Sequence, residues 1–226
     1  MAQEDLPALE AVLRRRFRTR ETEVSVAGRA VRLLHPENAE DLIDETEFNL
    51  DERLPYWAEL WPSSRVLAER VLALQPAGAR LLELGCGMGL VSVCAALAGH
   101  HVCASDYYED ALRFTRVNCW RNTGQEAETR LLDWRDLPSA DERFDVVVAS
   151  DVLYERWQAV HLARAFRRFL VPSGLGLLAD PGRAAVGDFL TEAVRHNLRV
   201  SDPTGVPYTE GKIRQMICIY EIRRAQ

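Results

Sequence analysis

The sequence predicts an α/β protein built on an open, doubly wound, mostly parallel sheet with a final antiparallel strand. Three observations predict it. From Arg80 onward, short apolar runs alternate with stretches of helical period, the rhythm of a parallel sheet covered on both faces. The runs "ARLLELG", "HVCASD", "FDVVVASD" and "GLGLLAD" are too uniformly apolar for strands with one wet face. The last run, "KIRQMICIYEIR", follows a turn-rich segment holding Pro203, Gly205, Pro207 and Gly211, which fits a strand hairpinned onto the sheet.

The elements follow in order. Leu6, Leu9, Leu13 and Phe17 recur at helical spacing over residues 5–18. The basic run "RRRFRTR" (14–20) reads as a solvated helix end, where the dipole favours cations. "TEVSVAG" and "RAVRLL" alternate as two strands around Ala27-Gly28, a hairpin. Residues 37–52 carry eight acids and no base, either a solvated face or a surface that steers basic partners inward. Helices are expected over "GMGLVSVCAALAG", "YEDALRFTRVNCWRN", "RWQAVHLARAFRRFL" and "AVGDFLTEAVRHN", and a further strand over "ETRLLDW". This divides the chain into an extension, residues 1–50, packed on a main domain, residues 51–226.

Composition narrows the function classes. The chain has 226 residues, 47% of them hydrophobic, enough for a full core. Its net charge of −6 disfavours a general nucleic-acid binder. No apolar run reaches the ~18–20 residues of a membrane span. Glu4, Asp5 and Glu10 do not suit a signal or transit peptide. Five scattered cysteines without metal-ligand spacing suggest reduced thiols in the cytoplasm and no metal. Lys212 is the only lysine.

Ligands of such a sheet sit at the carboxyl ends of its strands. The first core strand closes on "ELGCGMG", where glycines allow a sharp turn and a close approach to a ligand. The dinucleotide fingerprint fails, because its sixth place is Leu90. Asp106 ends the next strand, suited to both hydroxyls of a ribose or to capping a helix. Asp133 and Trp134 follow in "LLDW" and suit the amine and face of an adenine. A nucleoside site without a phosphate-binding lysine or pyrophosphate loop points to S-adenosylmethionine. The fourth strand runs into Ser150, Asp151 and Tyr154, polar groups at an apolar strand's end.

The motif E-x-G-x-G-x-G followed by Asp106 resembles the Rossmann-like, seven-stranded S-adenosylmethionine-dependent methyltransferases. "LPYWAELWPSS" (54–64), "LLDW" and the D-x-x-Y of "SDVLY" together resemble the family-16 protein lysine methyltransferases. "LLADPGR" (177–183) is similar to a branch that methylates the electron-transfer flavoprotein β-subunit. The resemblance covers roughly residues 45–222. It implies a cofactor site in which Trp61 packs on S-adenosylmethionine and Glu83 takes its amino group. Gly85, Cys86 and Gly87 line its methionine end, Asp106 holds the ribose, Trp134 flanks the adenine and Ser150 contacts it. It also implies Asp151 and Tyr154 as the catalytic, substrate-side pair and a lysine-bearing protein as partner. A small-molecule or other side-chain acceptor is the alternative, and a non-catalytic cofactor binder is a further one. A nucleobase acceptor fits less well, since the expected Asn/Asp-Pro-Pro-aromatic motif is replaced by "DVLY".

Overall fold

The chain folds as its alternation predicts. The computed structural model describes residues 5–39, 42, 55–139 and 141–225. Helix α1 (Leu6–Arg16) is followed by the antiparallel strands β1 (Thr19–Val26) and β2 (Arg29–Pro36). Their turn places Ala27 and Gly28 at positive φ (48° and 80°), the geometry that matches strand twist in a two-residue hairpin.

After a short 3₁₀ turn (Tyr56–Ala58) and helix α2 (Pro62–Leu72), the main sheet begins. It contains β3 (Arg80–Leu84), β4 (His101–Asp106), β5 (Glu128–Leu131), β6 (Phe144–Ser150) and β7 (Leu170–Asp180). Helices α3 (Leu90–Leu97), α4 (Glu109–Thr123), α5 (Gln158–Phe169) and α6 (Ala185–Arg195) alternate with them, and β8 (Leu198–Val200), β9 (Thr204–Glu210) and β10 (Ile213–Arg224) complete the sheet. The order is β5-β4-β3-β6-β7-β10-β8, with β9 beside β10. β3 to β7 pair in parallel, and β10 runs antiparallel to β7. Chain order therefore reverses between β3 and β6, the switch point where ligands of such sheets bind.

Period-two alternation gives the sheet two apolar faces. Leu82, Leu84, Val147 and Leu178 face α5 and α6, meeting Leu162, Phe166 and Phe189. Leu81, Val146, Val148 and Leu177 face α2 and α3, meeting Leu67, Val71, Val91 and Cys94. The hairpin's Val24, Val26, Val31 and Leu33 join that second core. Asn118 of α4 fastens β2: its carbonyl accepts from Leu34 N–H (2.7 Å), and its amide donates to Leu34 O and Met88 O (2.9 Å each).

Three expectations change. The strand predicted through Trp134 stops at Leu131, because Asp133 accepts from Arg135 N–H (2.9 Å) and turns the chain. The turn-rich segment before the last strand is itself strand β9; as an edge strand it tolerates Pro207, which lacks an N–H. β8, three residues long, has no alternation to betray it.

Candidate active site

The sharp turn after β3 is held by two amides, Gly85 N–H and Cys86 N–H, which both donate to Ser105 O of β4 (2.9 Å each). Gly85 and Gly87 both lie at positive φ (74° and 52°). A Cβ on Gly85 would stand 2.8 Å from Val152, and one on Gly87 2.9 Å from Trp57 O. The loop is thus glycine both for conformation and for close packing.

This loop is one wall of a cavity of about 340 Å³ at the carboxyl ends of β3, β4 and β6. That volume falls within the ~300–1,000 Å³ of small-molecule sites. All ten residues singled out in the sequence line it: Trp61, Glu83, Gly85, Cys86, Gly87, Asp106, Trp134, Ser150, Asp151 and Tyr154. Asp133 also lines it, but Arg135 holds its carboxylate bidentately (2.9 and 2.7 Å). The acidic segment 37–52 lies largely outside the described residues.

Two carboxylates sit deep in the cavity. Glu83, 1% exposed, accepts from Ser92 Oγ (2.5 Å). Burial raises its carboxyl to about 8, opposed by the Ser92 hydrogen bonds and assisted by Asp106. Asp106 accepts from Gly87 N–H (2.9 Å) and Tyr108 N–H (3.0 Å). Burial raises its pKa against those backbone hydrogen bonds. Asp106 does not cap α4 at the helix start, which falls at Tyr108. With about four lone-pair sites, its carboxylate keeps acceptor capacity for a ligand hydroxyl beside the amide hydrogen bonds it accepts. The Cys86 thiol is driven well above its usual range by burial, then by the nearby acids, and stays neutral.

The end of β6 is not a helix cap. Asp151 takes positive φ (56°), and α5 begins only at Gln158. Its side chain is 1% exposed. Oδ2 accepts from Ser63 Oγ (2.8 Å), and Oδ1 accepts from Arg183 Nε (2.7 Å) and pairs with Nη2. The carboxylate expected on the substrate side is therefore already paired. Tyr154, 42% exposed, stacks at a tilt on Tyr56, centroids 4.8 Å apart. Desolvation, then the charge of Asp106, raises its phenol to about 12. Trp61 starts α2, its indole N–H donating to Tyr56 O (3.0 Å). Trp57 is a core residue, packed on Phe114.

Sequence reasoning missed Ser63, Tyr56 and Arg183. Arg183 was visible only as the end of "LLADPGR", and nothing local pairs it with Asp151.

A sequence profile described as "Methyltransferase domain" matches residues 81–174. The electron transfer flavoprotein beta subunit lysine methyltransferase of Danio rerio is 32% identical over 152 residues, 65% of this chain and 55% of that protein. The ubiquinone biosynthesis O-methyltransferase of Ruegeria pomeroyi is 34% identical over 107 residues, 47% of this chain and 43% of its own length. The chain thus spans about half the length of these curated relatives. Among solved structures, magnesium protoporphyrin IX methyltransferase from Synechocystis, with bound SAM, superposes with a TM-score of 0.57 at 18% identity, covering 81% of this chain and 94% of that one. Switch-point cavity, glycine loop and profile match agree: residues 81–174 match a methyltransferase domain, and the chain has the fold of the S-adenosylmethionine-dependent methyltransferases.

Proposed function

We propose that this protein transfers a methyl group from S-adenosylmethionine to a lysine side chain of a partner protein. The observation that carries the reading is the segment Asp151–Tyr154. It leaves β6 at the switch point, lines the cavity, and sets Tyr154 on Tyr56 at its exposed side.

The cavity's chemistry fits the cofactor. Two buried carboxylates offer acceptors, the glycine wall permits close approach, and Arg135 at the rim is tied to Asp133. Such a site suits a ligand with amino and hydroxyl donors and a positive charge; a phosphate would find no free cation among these lining groups. Glu83 would hold the amino group and Asp106 the ribose. Gly85, Cys86 and Gly87 would line the methionine end, with Trp61, Trp134 and Ser150 against the rest. When bound, S-adenosylmethionine supplies a methyl whose bond to a positively charged sulfur breaks as the N–C bond forms, the electron pair staying on sulfur.

The protein's part is to position and to permit deprotonation. A free lysine near pH 7 holds its proton by roughly 4–5 kcal/mol. The Tyr56 and Tyr154 ring faces can receive an ammonium by cation–π attraction. Water takes the proton, and the neutral amine attacks.

The support beyond the site is the Danio rerio lysine methyltransferase. The Ruegeria pomeroyi relative favours a small-molecule hydroxyl acceptor as the second reading. Labelled methyl transfer to a cell lysate and to electron transfer flavoprotein beta subunit separates them. Methyl-lysine in a labelled protein is expected; label in a solvent-extractable small molecule would overturn the lysine reading.

A further inference from the structure

A lone aspartate at the end of β6 would be the wrong electrostatics for a lysine acceptor. A carboxylate within about 4–6 Å of an amine favours its charged form by roughly 1–3 pKa units. The attacking form is the neutral one. In this chain the aspartate is not alone. Nε and Nη2 of Arg183 both meet Asp151 Oδ1, while Ser63 occupies Oδ2.

The arginine is itself held from several sides. Asp180, at the end of β7, accepts through Oδ1 from Gly182 N–H and Arg183 N–H (2.7 Å each), fixing the turn that launches Arg183. The Arg183 guanidinium lies over the Trp61 ring, 5.5 Å from its centroid. The same indole that lines the cofactor cavity therefore supports the cation beside the acceptor end.

We propose that Arg183 is a positioning residue that cancels the charge of Asp151, so that the acceptor amine reaches the end of β6 without a net negative charge stabilising its proton. This deepens the lysine reading and rests on it. The other groups around Asp151 fit the inference. Ser63, from α2, is uncharged. Tyr154, from the same loop, is a neutral phenol. Asp180 is an acid that feels Asp151; burial raises its carboxyl, against the Arg183 and Gly182 amides that hold its Oδ1. Asp106, from β4, acts on Tyr154 across the cavity. Arg183 supplies the positive charge that balances Asp151 among the described residues.

The pairing also holds backbone. Asp151 sits at positive φ, and the next residue, Val152, packs where Gly85 lacks a side chain. Clasping Asp151 between α2 and the loop after β7 thus fixes both the cavity wall and the path to Tyr154.

The test is kcat against pH for wild type, Arg183→Met, Arg183→Lys and the double variant Arg183→Met/Asp151→Asn. The acceptor is electron transfer flavoprotein beta subunit or, should it take no label, the lysate protein that does. The ascending limb reports deprotonation of the acceptor in the complex. In Arg183→Met its midpoint should rise by about one unit or more, which lowers kcat about tenfold at a fixed pH on the limb. The double variant should return the midpoint to its wild-type position, and Arg183→Lys should stay near it. Cofactor affinity should change less than about twofold. A uniform fall in kcat with an unmoved limb would overturn the inference and leave Arg183 a structural residue. Should Arg183→Met not fold, an unmoved limb in both the double variant and a charge-free Arg183→Gln decides against it, and an upward shift confined to Arg183→Gln decides for it. Label on an oxygen or an imidazole overturns the lysine reading and this inference with it, whereas label on lysine with an unmoved limb overturns the inference alone. No label on any protein overturns both.

Discussion

Glu83 is an acid almost wholly removed from water. Burial raises its carboxyl from 4.5 to about 8, so the free protein carries it protonated near neutrality. The folded state therefore holds a proton that the unfolded chain releases. That part of the stability is complete below about pH 4.5 and is lost as pH rises through about 8. A cofactor ammonium beside it favours the carboxylate. Binding of S-adenosylmethionine near pH 7 should then expel a proton, and affinity should rise toward pH 8. Calorimetry in buffers of different ionisation enthalpy measures that proton; Glu83→Gln should abolish it, and an unchanged proton count in the variant would exclude Glu83 as the partner. Asp106→Ala should weaken cofactor binding by roughly 1.5–3 kcal/mol, the scale of charge-assisted hydrogen bonds. Because Asp106 also accepts from Gly87 and Tyr108, the thermal midpoint should fall with it. Unchanged affinity at the calorimeter would remove Asp106 from the site.

Elements are where two glycines of similar backbone part company. Gly85 opens the turn after β3, and Gly124 caps α4; their φ values are 74° and 73°. Backbone strain alone would treat alanine alike at both, at about 1–2 kcal/mol. Packing does not. A Cβ on Gly124 meets nothing within 4 Å, whereas one on Gly85 stands 2.8 Å from Val152 and 3.7 Å from Trp134. Gly124→Ala should lose only the strain energy and keep cofactor affinity. Gly85→Ala should lose more stability and most cofactor binding. Denaturant midpoints with matched calorimetry compare them, and equal losses would mean that the loop is glycine for conformation only. The glycine motif was legible as a close approach, but its neighbour Val152 was not, being 67 positions away in chain order. Asn118 was less legible still. It reads as an ordinary polar position on a helix, yet fully buried it satisfies both backbone groups of Leu34 and the carbonyl of Met88.

For the whole molecule, the scarcity of lysine has a measurable consequence. Lys212 lies between β9 and β10, whose pairing runs from Ile213–Glu210 to Ile219–Thr204. β10 begins at Ile213 but meets β7 only from Cys218, opposite Asp180. The hairpin tip thus projects beyond the carboxyl end of β7, on the side of the cavity. Ladder pairing and the Arg65–Glu210 ion pair (3.1 Å) hold that tip to α2 and away from free rotation. Incubation with labelled S-adenosylmethionine alone should leave the chain unlabelled, with label appearing only on an added acceptor. Intact mass spectrometry reads both, and methylation of Lys212 would show that the hairpin reaches the mouth.

The sequence by itself determined the alternation of strands and helices from β3 to β7, the glycine turn and the acids that end β3, β4 and β6. Periodicity is local, and in a parallel sheet each strand's last residues fall at the same edge whatever the details of packing. All ten residues named from sequence and resemblance accordingly line one cavity. Tertiary structure alone decided what those residues meet. Arg183 reaches Asp151 across 32 positions, Ser63 reaches it across 88, and Tyr56 lies on Tyr154. Such pairs depend on which strands become neighbours when the sheet reverses direction between β3 and β6, and on how α2 enters over that edge. No local pattern encodes either, so the pairing of Asp151 emerged only when the chain was folded.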